Sequence, residues 1–388
     1  MKRLSKLIAV MLAVLMTASL IAVPVFADDA QDDPYAALKE GTGYVAIGDS
    51  FTRGYGAGTS WQDQIYRNEN YGDYECRNVD GSYPNIVAEK FGMYAPADIR
   101  DTDAKYWPLS HDAVSTAYMN DFLGLDDGFR DDEFTYQDGS MIRRYQTDLA
   151  YFGDPLSLTL DGTAAYGATG EIMSAREMIK NASLISIGLG QTDVIYKTQI
   201  FGFNTLDLSD TSSIPAGIKD ILSRFYRYFN YWKGAYPLLL DFIKENNPDA
   251  KVLLVGTLNP IKNATISDDV DIEIGHLITF MMDSINAFTR DCALKYGYTY
   301  IDISDVETPS AATTMSIGHI LSLEGVEYGL IAHPTAKGYE QIAEKVIAAV
   351  EKDLQKGQAT GIKAFFAKIG DWFKNFFAKI RDFFSSLG

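Results

Sequence analysis

The sequence predicts an α/β fold, a mostly parallel central sheet between two layers of helices, followed by a separate amphipathic helix at the C-terminus. Three observations carry this expectation. Short runs rich in apolar and β-branched residues recur at 44–47, 184–187, 252–255 and 298–301, the length and composition of buried strands. Amphipathic helical spacing appears around 216–245 and 272–295, and again from about Thr335 to Leu354. Strands alternating with helices build a parallel sheet through crossovers, with helices on both faces. The third observation is a change of character near the end, where an aromatic and basic repeat replaces the acidic body.

Length and charge bound the rest. A chain of 388 residues that is 47% hydrophobic and 13% aromatic can bury a large core, in one big domain or two. Lys2, Arg3 and Lys6 precede an apolar run from Leu7 to Val25, and Val25-Phe26-Ala27 presents the small residues a signal peptidase reads. Residues 1–27 therefore read as a secretory signal cleaved after Ala27, with a retained membrane anchor as the alternative. Export follows on either reading. From Asp28 to Gly361 there are 26 basic and 50 acidic residues, a net charge of −24. Such a surface repels nucleic acid, anionic membranes and polyanionic substrates. The two cysteines, Cys76 and Cys292, lie far apart with no metal-ligand spacing around them. They read as unpaired or structural, and neither a metal nor a cofactor is called for.

The first strand ends in Gly48-Asp49-Ser50. Gly48 allows a tight turn, Asp49 can brace it with side-chain to backbone bonds, and Ser50 faces the crevice where open α/β sheets keep their ligands. The glycines that follow, from Gly54 to Gly58, lack a Gly-Lys-Ser/Thr ending and form no phosphate loop; they read as rim. Ser82-Tyr83-Pro84 opens a short helix through Ile86, Val87, Ala88 and Phe91, with Gly92 as its stop. Residues 120–170 are rich in Asp, Gly and Tyr with little periodicity, an insert that is either a lid or a surface loop.

Gly-Asp-Ser alone is a common loop. It gains meaning from Ala332-His333-Pro334-Thr335-Ala336-Lys337-Gly338 near the end of the body. Together the two segments resemble the GDSL/SGNH family of serine esterases and lipases, over about 40–350. The resemblance implies a three-layer αβα sandwich of SGNH-hydrolase or flavodoxin-like type. Ser50 matches the nucleophile, and its own N–H is one oxyanion donor. His333 matches the base. The second donor is a backbone N–H from the segment Pro108–Thr116, where Ala113 stands at the expected glycine; His111 nearby reads as a rim residue. The third is an asparagine side chain in a Gly-x-Asn-Asp turn. Here the turn is Gly188-Leu189-Gly190-Gln191-Thr192-Asp193, so Thr192 takes that place, or Gln191 if the turn is shifted by one. The aspartate usually found three residues before the histidine is Leu330, which leaves a backbone carbonyl or Glu327 to orient the imidazole. Those departures keep a second reading open, a binding protein whose hydrolase site has decayed.

The tail carries an 11-residue repeat, Lys363–Phe373 followed at once by Lys374–Phe384. At about 3.67 residues per turn such a repeat keeps one apolar stripe along a nearly straight helix. Seven phenylalanines and Trp372 lie in 362–388, with five basic residues against two acidic ones. This pattern suits a helix lying on a membrane surface; docking on its own domain or on a second copy is the alternative. Residues 357–361 form its linker. The chain as a whole reads as an exported hydrolase of carboxylic esters, of lipid or acylated-carbohydrate type, secreted or held at the outer face of the cell envelope.

Overall fold

The computed structural model describes residues 33–58, 79–94, 104–110, 175–196, 214–262, 265–267, 270–273, 275–309 and 332–356, with single positions between 116 and 125 and at 198 and 212. The signal segment, Cys76, His111, Ala113, Glu327, Leu330, nearly all of the 120–170 insert and the 357–388 tail lie outside the described residues. The chain divides into Met1–Leu38 and Lys39–Gly388, and the architecture below belongs to the second unit.

Five strands form one sheet: β1 (Gly43–Gly48), β2 (Tyr106–Ser110), β3 (Ala182–Gly188), β4 (Lys251–Val255) and, after the hairpin strands β5 (Thr265–Ser267) and β6 (Val270–Glu273), β7 (Thr299–Ile301). Their spatial order is β2-β1-β3-β4-β7, and every pair is parallel. The chain leaves β1 toward β2 on one side, then returns to place β3 on the other. That reversal is the topological switch point at which open parallel sheets bind ligands. Gly48 pairs with Ser110 in β2 and with Gly188 in β3, so the three strands end level.

Side-chain alternation builds the layers. Val45, Ile47, Trp107, Leu109, Ile185, Ile187, Val252 and Leu254 belong to one buried cluster. They meet α4 (Ile214–Asn246) and α5 (Gly275–Tyr296), which contribute Phe225, Trp232, Tyr236, Leu240, Ile278, Met282 and Ile285 to it. Burial of each such side chain contributes about 1.5–3 kcal/mol. The alternate positions, including Tyr44, Leu184 and Ser186, face the second helical layer, α2 (Tyr83–Lys90) and α6 (336–356). Tyr83 hydrogen-bonds Ser186 from that side, and Val255 and Ile342 line one cleft. Lys90 and Lys251 pair with Glu351 and Asp353 of α6. The result is the expected αβα sandwich.

Two elements depart from the sequence reading. Tyr106–Ser110 contains Pro108, which hides its strand character, but β2 is the edge strand, where a missing N–H is tolerated. The helix expected from 272 begins at Gly275, because Val270–Glu273 pairs antiparallel with β5. A Cβ on Gly275 would stand 2.0 Å from the Lys262 carbonyl oxygen, so glycine sets this entry point. Cys292 is a buried free thiol on α5, and burial pushes its pKa up to about 11. No helix among the described residues is long and apolar enough to cross a membrane.

Candidate active site

The nucleophile corner follows from the ending of β1. A single helical turn, α1 (Ser50–Arg53), starts immediately after Asp49, whose carboxylate accepts the Phe51 N–H at 3.1 Å as an N-cap. Gly54, at φ +95°, closes the turn, and its N–H bonds the Ser50 carbonyl at 3.0 Å. The turn fits only because its surroundings are small. A Cβ on Gly48 would lie 2.0 Å from Thr52 Oγ1, and one on Gly188 would lie 2.5 Å from the same atom. Ser50 is thereby set, half-buried, at the carboxyl edge of the sheet.

His333 arrives from the other end of the chain. Its Nε2 stands 2.7 Å from Ser50 Oγ across 283 residues of sequence. The ring is buried, with the Phe51 and Tyr55 rings centred 4.7 and 4.8 Å away. Its segment is held by the start of α6. Thr335 Oγ1 accepts the Gly338 N–H at 3.0 Å and donates to Glu307 Oε1 at 3.0 Å, while the Thr335 N–H reaches the Glu307 carbonyl. Lys337 lies 3.0 Å from Glu307 Oε2 and holds that carboxyl below its usual range. A Cβ on Gly338 would meet the Glu307 carbonyl oxygen at 2.2 Å, which accounts for the glycine five residues after the histidine. Tyr339 Oη donates to the Tyr55 carbonyl at 2.8 Å and so ties α6 to the chain just after the nucleophile.

The third segment is the π-helical turn Gln191–Tyr196 after β3. Thr192, expected among the donors facing the substrate, directs both its N–H and its hydroxyl at Asp49 Oδ2, at 3.2 and 3.0 Å. A hydroxyl carried on Cβ is short, and Asp49 on the neighbouring strand end is within its reach. Gln191 is half-buried; its Oε1 is buried without a hydrogen-bond partner and shares a cleft with Asp49, Gly188, Gly256 and Thr257. Asp193, buried, accepts the Thr116 N–H at 2.8 Å and the Thr116 hydroxyl at 3.1 Å.

Burial dominates the electrostatics. Asp49 is fully enclosed, and desolvation raises its pKa to about 7 against the lowering effect of the Thr192 and Phe51 donors. Tyr83 is pushed up to about 12 by the same cause. Four sequence-predicted residues are thus placed: Ser50 and His333 in contact, Gln191 and Thr192 beside them on the next strand end. Ala113 and Glu327 lie outside the described residues. Sequence reasoning missed the Phe51 and Tyr55 cradle, the Glu307–Thr335 latch and the Asp193–Thr116 pair. Periodicity gives no sign of contacts made across such separations.

No family model and no curated protein matches the chain. Among solved structures, the chain is similar to an extracellular lipase from Streptomyces rimosus at 18% identity, covering 78% of this chain and 97% of that one, with a TM-score of 0.44. Phospholipase A1 from Streptomyces albidoflavus gives 16% identity, 81% and 99% coverage and a TM-score of 0.46. A family two carbohydrate esterase from Clostridium thermocellum gives 14%, 80% and 64%, and 0.34.

Proposed function

We propose that this protein is a carboxylic ester hydrolase that works through Ser50 and His333. The observation that carries the proposal is the 2.7 Å approach of His333 Nε2 to Ser50 Oγ at the switch point of the sheet. A serine hydroxyl is a weak nucleophile until a base takes its proton. With the ring proton on Nδ1, His333 Nε2 accepts that proton as Oγ attacks the ester carbonyl carbon. The carbonyl oxygen becomes an oxyanion, bound by the N–H groups of Ser50 and Ala113 and by the Gln191 amide. Collapse of the intermediate expels the alcohol, which takes the proton back from His333. Water then attacks the acyl-serine with His333 as base, releasing the acid and restoring Ser50.

Labelling with a fluorophosphonate, read by intact mass, tests this without knowledge of the substrate. One adduct is expected on the wild type and none on Ser50→Ala, which removes one half-buried hydroxyl and leaves the fold intact. Labelling of the Ser50→Ala protein refutes the nucleophile. An unlabelled wild type favours the binding-protein reading.

The same proposal places the enzyme outside the cytoplasm, with residues 362–388 holding it at a membrane surface. Support comes from the 1–27 segment and from a tail with a net charge of +3 against −24 for 28–361. Attraction of that kind to anionic lipid fades with salt. The protein beginning at Asp28 should sediment with anionic phospholipid vesicles at low salt, and a version ending at Gly361 should not. Equal sedimentation of the two removes the tail as an anchor and favours its docking on protein.

A further inference from the structure

We infer that the rings of Phe51 and Tyr55 stabilise the imidazolium that His333 becomes when it takes the Ser50 proton. The inference rests on the ester-hydrolase reading and adds to it two residues that act on the base. As Ser50 Oγ forms its bond to the carbonyl carbon, the Oγ–H bond breaks, Nε2 gains the proton and the ring becomes a cation. That charge develops on a side chain only 8% exposed, where water can do little for it. A carboxylate beside the imidazole is the usual counterweight, and the position three before the histidine brings none, since it is Leu330.

Two aromatic rings border the imidazole. Phe51 and Tyr55 are centred 4.7 and 4.8 Å from it and tilted by 34° and 31°. Both distances are inside the roughly 6 Å at which a ring quadrupole attracts a cation. Both tilts are nearer parallel than perpendicular, so the imidazole lies against negative π faces and not against positive ring edges. The two rings are carried by the nucleophile's own turn. Phe51 follows Ser50, is buried, and has its N–H capped by Asp49 at 3.1 Å. The Tyr55 N–H bonds the Ser50 carbonyl at 3.0 Å, and the Tyr55 carbonyl accepts the Tyr339 hydroxyl at 2.8 Å. One turn therefore presents the hydroxyl and the π faces to the same imidazole. An aliphatic wall would exclude water as well; an aromatic wall also favours the charged ring. Among the described residues, the titratable and charged groups on the elements packed around His333 are Asp49 and Arg53 beside α1, the Tyr55 phenol, Glu307, and Lys337 and Glu340 at the start of α6. All but the phenol are the same in every variant below.

The test uses Phe51→Leu and Tyr55→Leu, which each remove a face and keep an apolar wall, and Tyr55→Phe, which keeps the face and removes only the phenol. Each is compared with the wild type by p-nitrophenyl acetate turnover as a function of pH, by fluorophosphonate labelling and by thermal melting. Loss of a face should move the acid limb of kcat/KM down by about 0.5–1 pH unit, because the free base becomes easier to deprotonate. On the plateau kcat should fall about three- to tenfold, with KM within about twofold. Tyr55→Phe should recover the wild-type limb and most of the plateau. If Phe51→Leu does not fold, the two Tyr55 variants, at a half-buried position, carry the test by themselves. An unmoved limb in the leucine variants overturns the inference and leaves the hydrolase reading standing, even where kcat or the melting temperature falls, since packing alone would do that. A limb that moves as far in Tyr55→Phe as in Tyr55→Leu also overturns it, by assigning the effect to the phenol. A wild type that neither labels nor turns over overturns the ester-hydrolase reading and this inference with it.

Discussion

Replacing His333 by glutamine should lower kcat on a carboxylic ester by about five orders of magnitude while leaving KM within a few-fold. Glutamine is chosen because its amide can keep a hydrogen bond to Ser50 Oγ but cannot take up a proton. The substitution thus separates the contact from the proton transfer. The surroundings of the ring are largely indifferent to the change, since Phe51 and Tyr55 supply apolar walls and the Glu307 latch grips Thr335, two residues on. Ser50→Ala should cost as much by itself. The combined variant should be no worse than either single one by more than about threefold, because nucleophile and base act as one unit. Steady-state kinetics on the three variants settle the matter. If the two losses multiply, the residues act independently, and the 2.7 Å contact is structural. If His333→Gln keeps most of the activity, another base serves Ser50.

Much of this architecture is legible in the chain. The runs at 44–47, 184–187 and 252–255 become three adjacent strands, because apolar residues on both faces leave a strand nowhere but the middle of a sheet. β2 was hidden by Pro108, and its assignment depends on a fact about its neighbour: it lies at the edge, beside β1 alone. Ser50 and His333 were legible because their flanking glycines and proline mark turns that only a few conformations satisfy. The bonding partner of Thr192 was not. A residue type fixes which bonds can be made, and the fold decides which partner stands within reach; here the partner is Asp49, 143 positions away. The Glu307–Thr335 latch is likewise a product of register, since it joins the loop after β7 to the cap of α6.

The buried Asp49 predicts a stability that depends on pH in an unusual sense. An ordinary aspartate that gains donors on folding has a depressed pKa and strengthens the fold as pH rises through the acid range. Asp49 gains three donors, yet desolvation outweighs them and raises its pKa from 3.8 to about 7, with buried Asp193 adding to the shift. Below about pH 4 the carboxyl is protonated in both folded and unfolded chains, and the group contributes its full stability. Between about pH 4 and pH 7 the unfolded chain has released the proton while the folded chain retains it. The unfolding free energy then falls steadily across that window, by a total on the order of 4 kcal/mol. Above about pH 7 both forms are ionised and the term is constant. Asp49→Asn removes the titration while keeping the size of the side chain. Denaturant unfolding of the wild type and of Asp49→Asn at a series of pH values from 4 to 8 isolates Asp49 together with its coupling to Asp193, because titrating groups that do not interact with Asp49 cancel in the difference. The wild type should lose stability relative to the variant steadily from pH 4 to pH 7, with a plateau beyond. A difference that does not change with pH would mean that Asp49 keeps its ordinary pKa in the folded protein, its three donors balancing burial. A difference that grows in the wild type's favour as pH rises would mean that its pKa lies below the ordinary value.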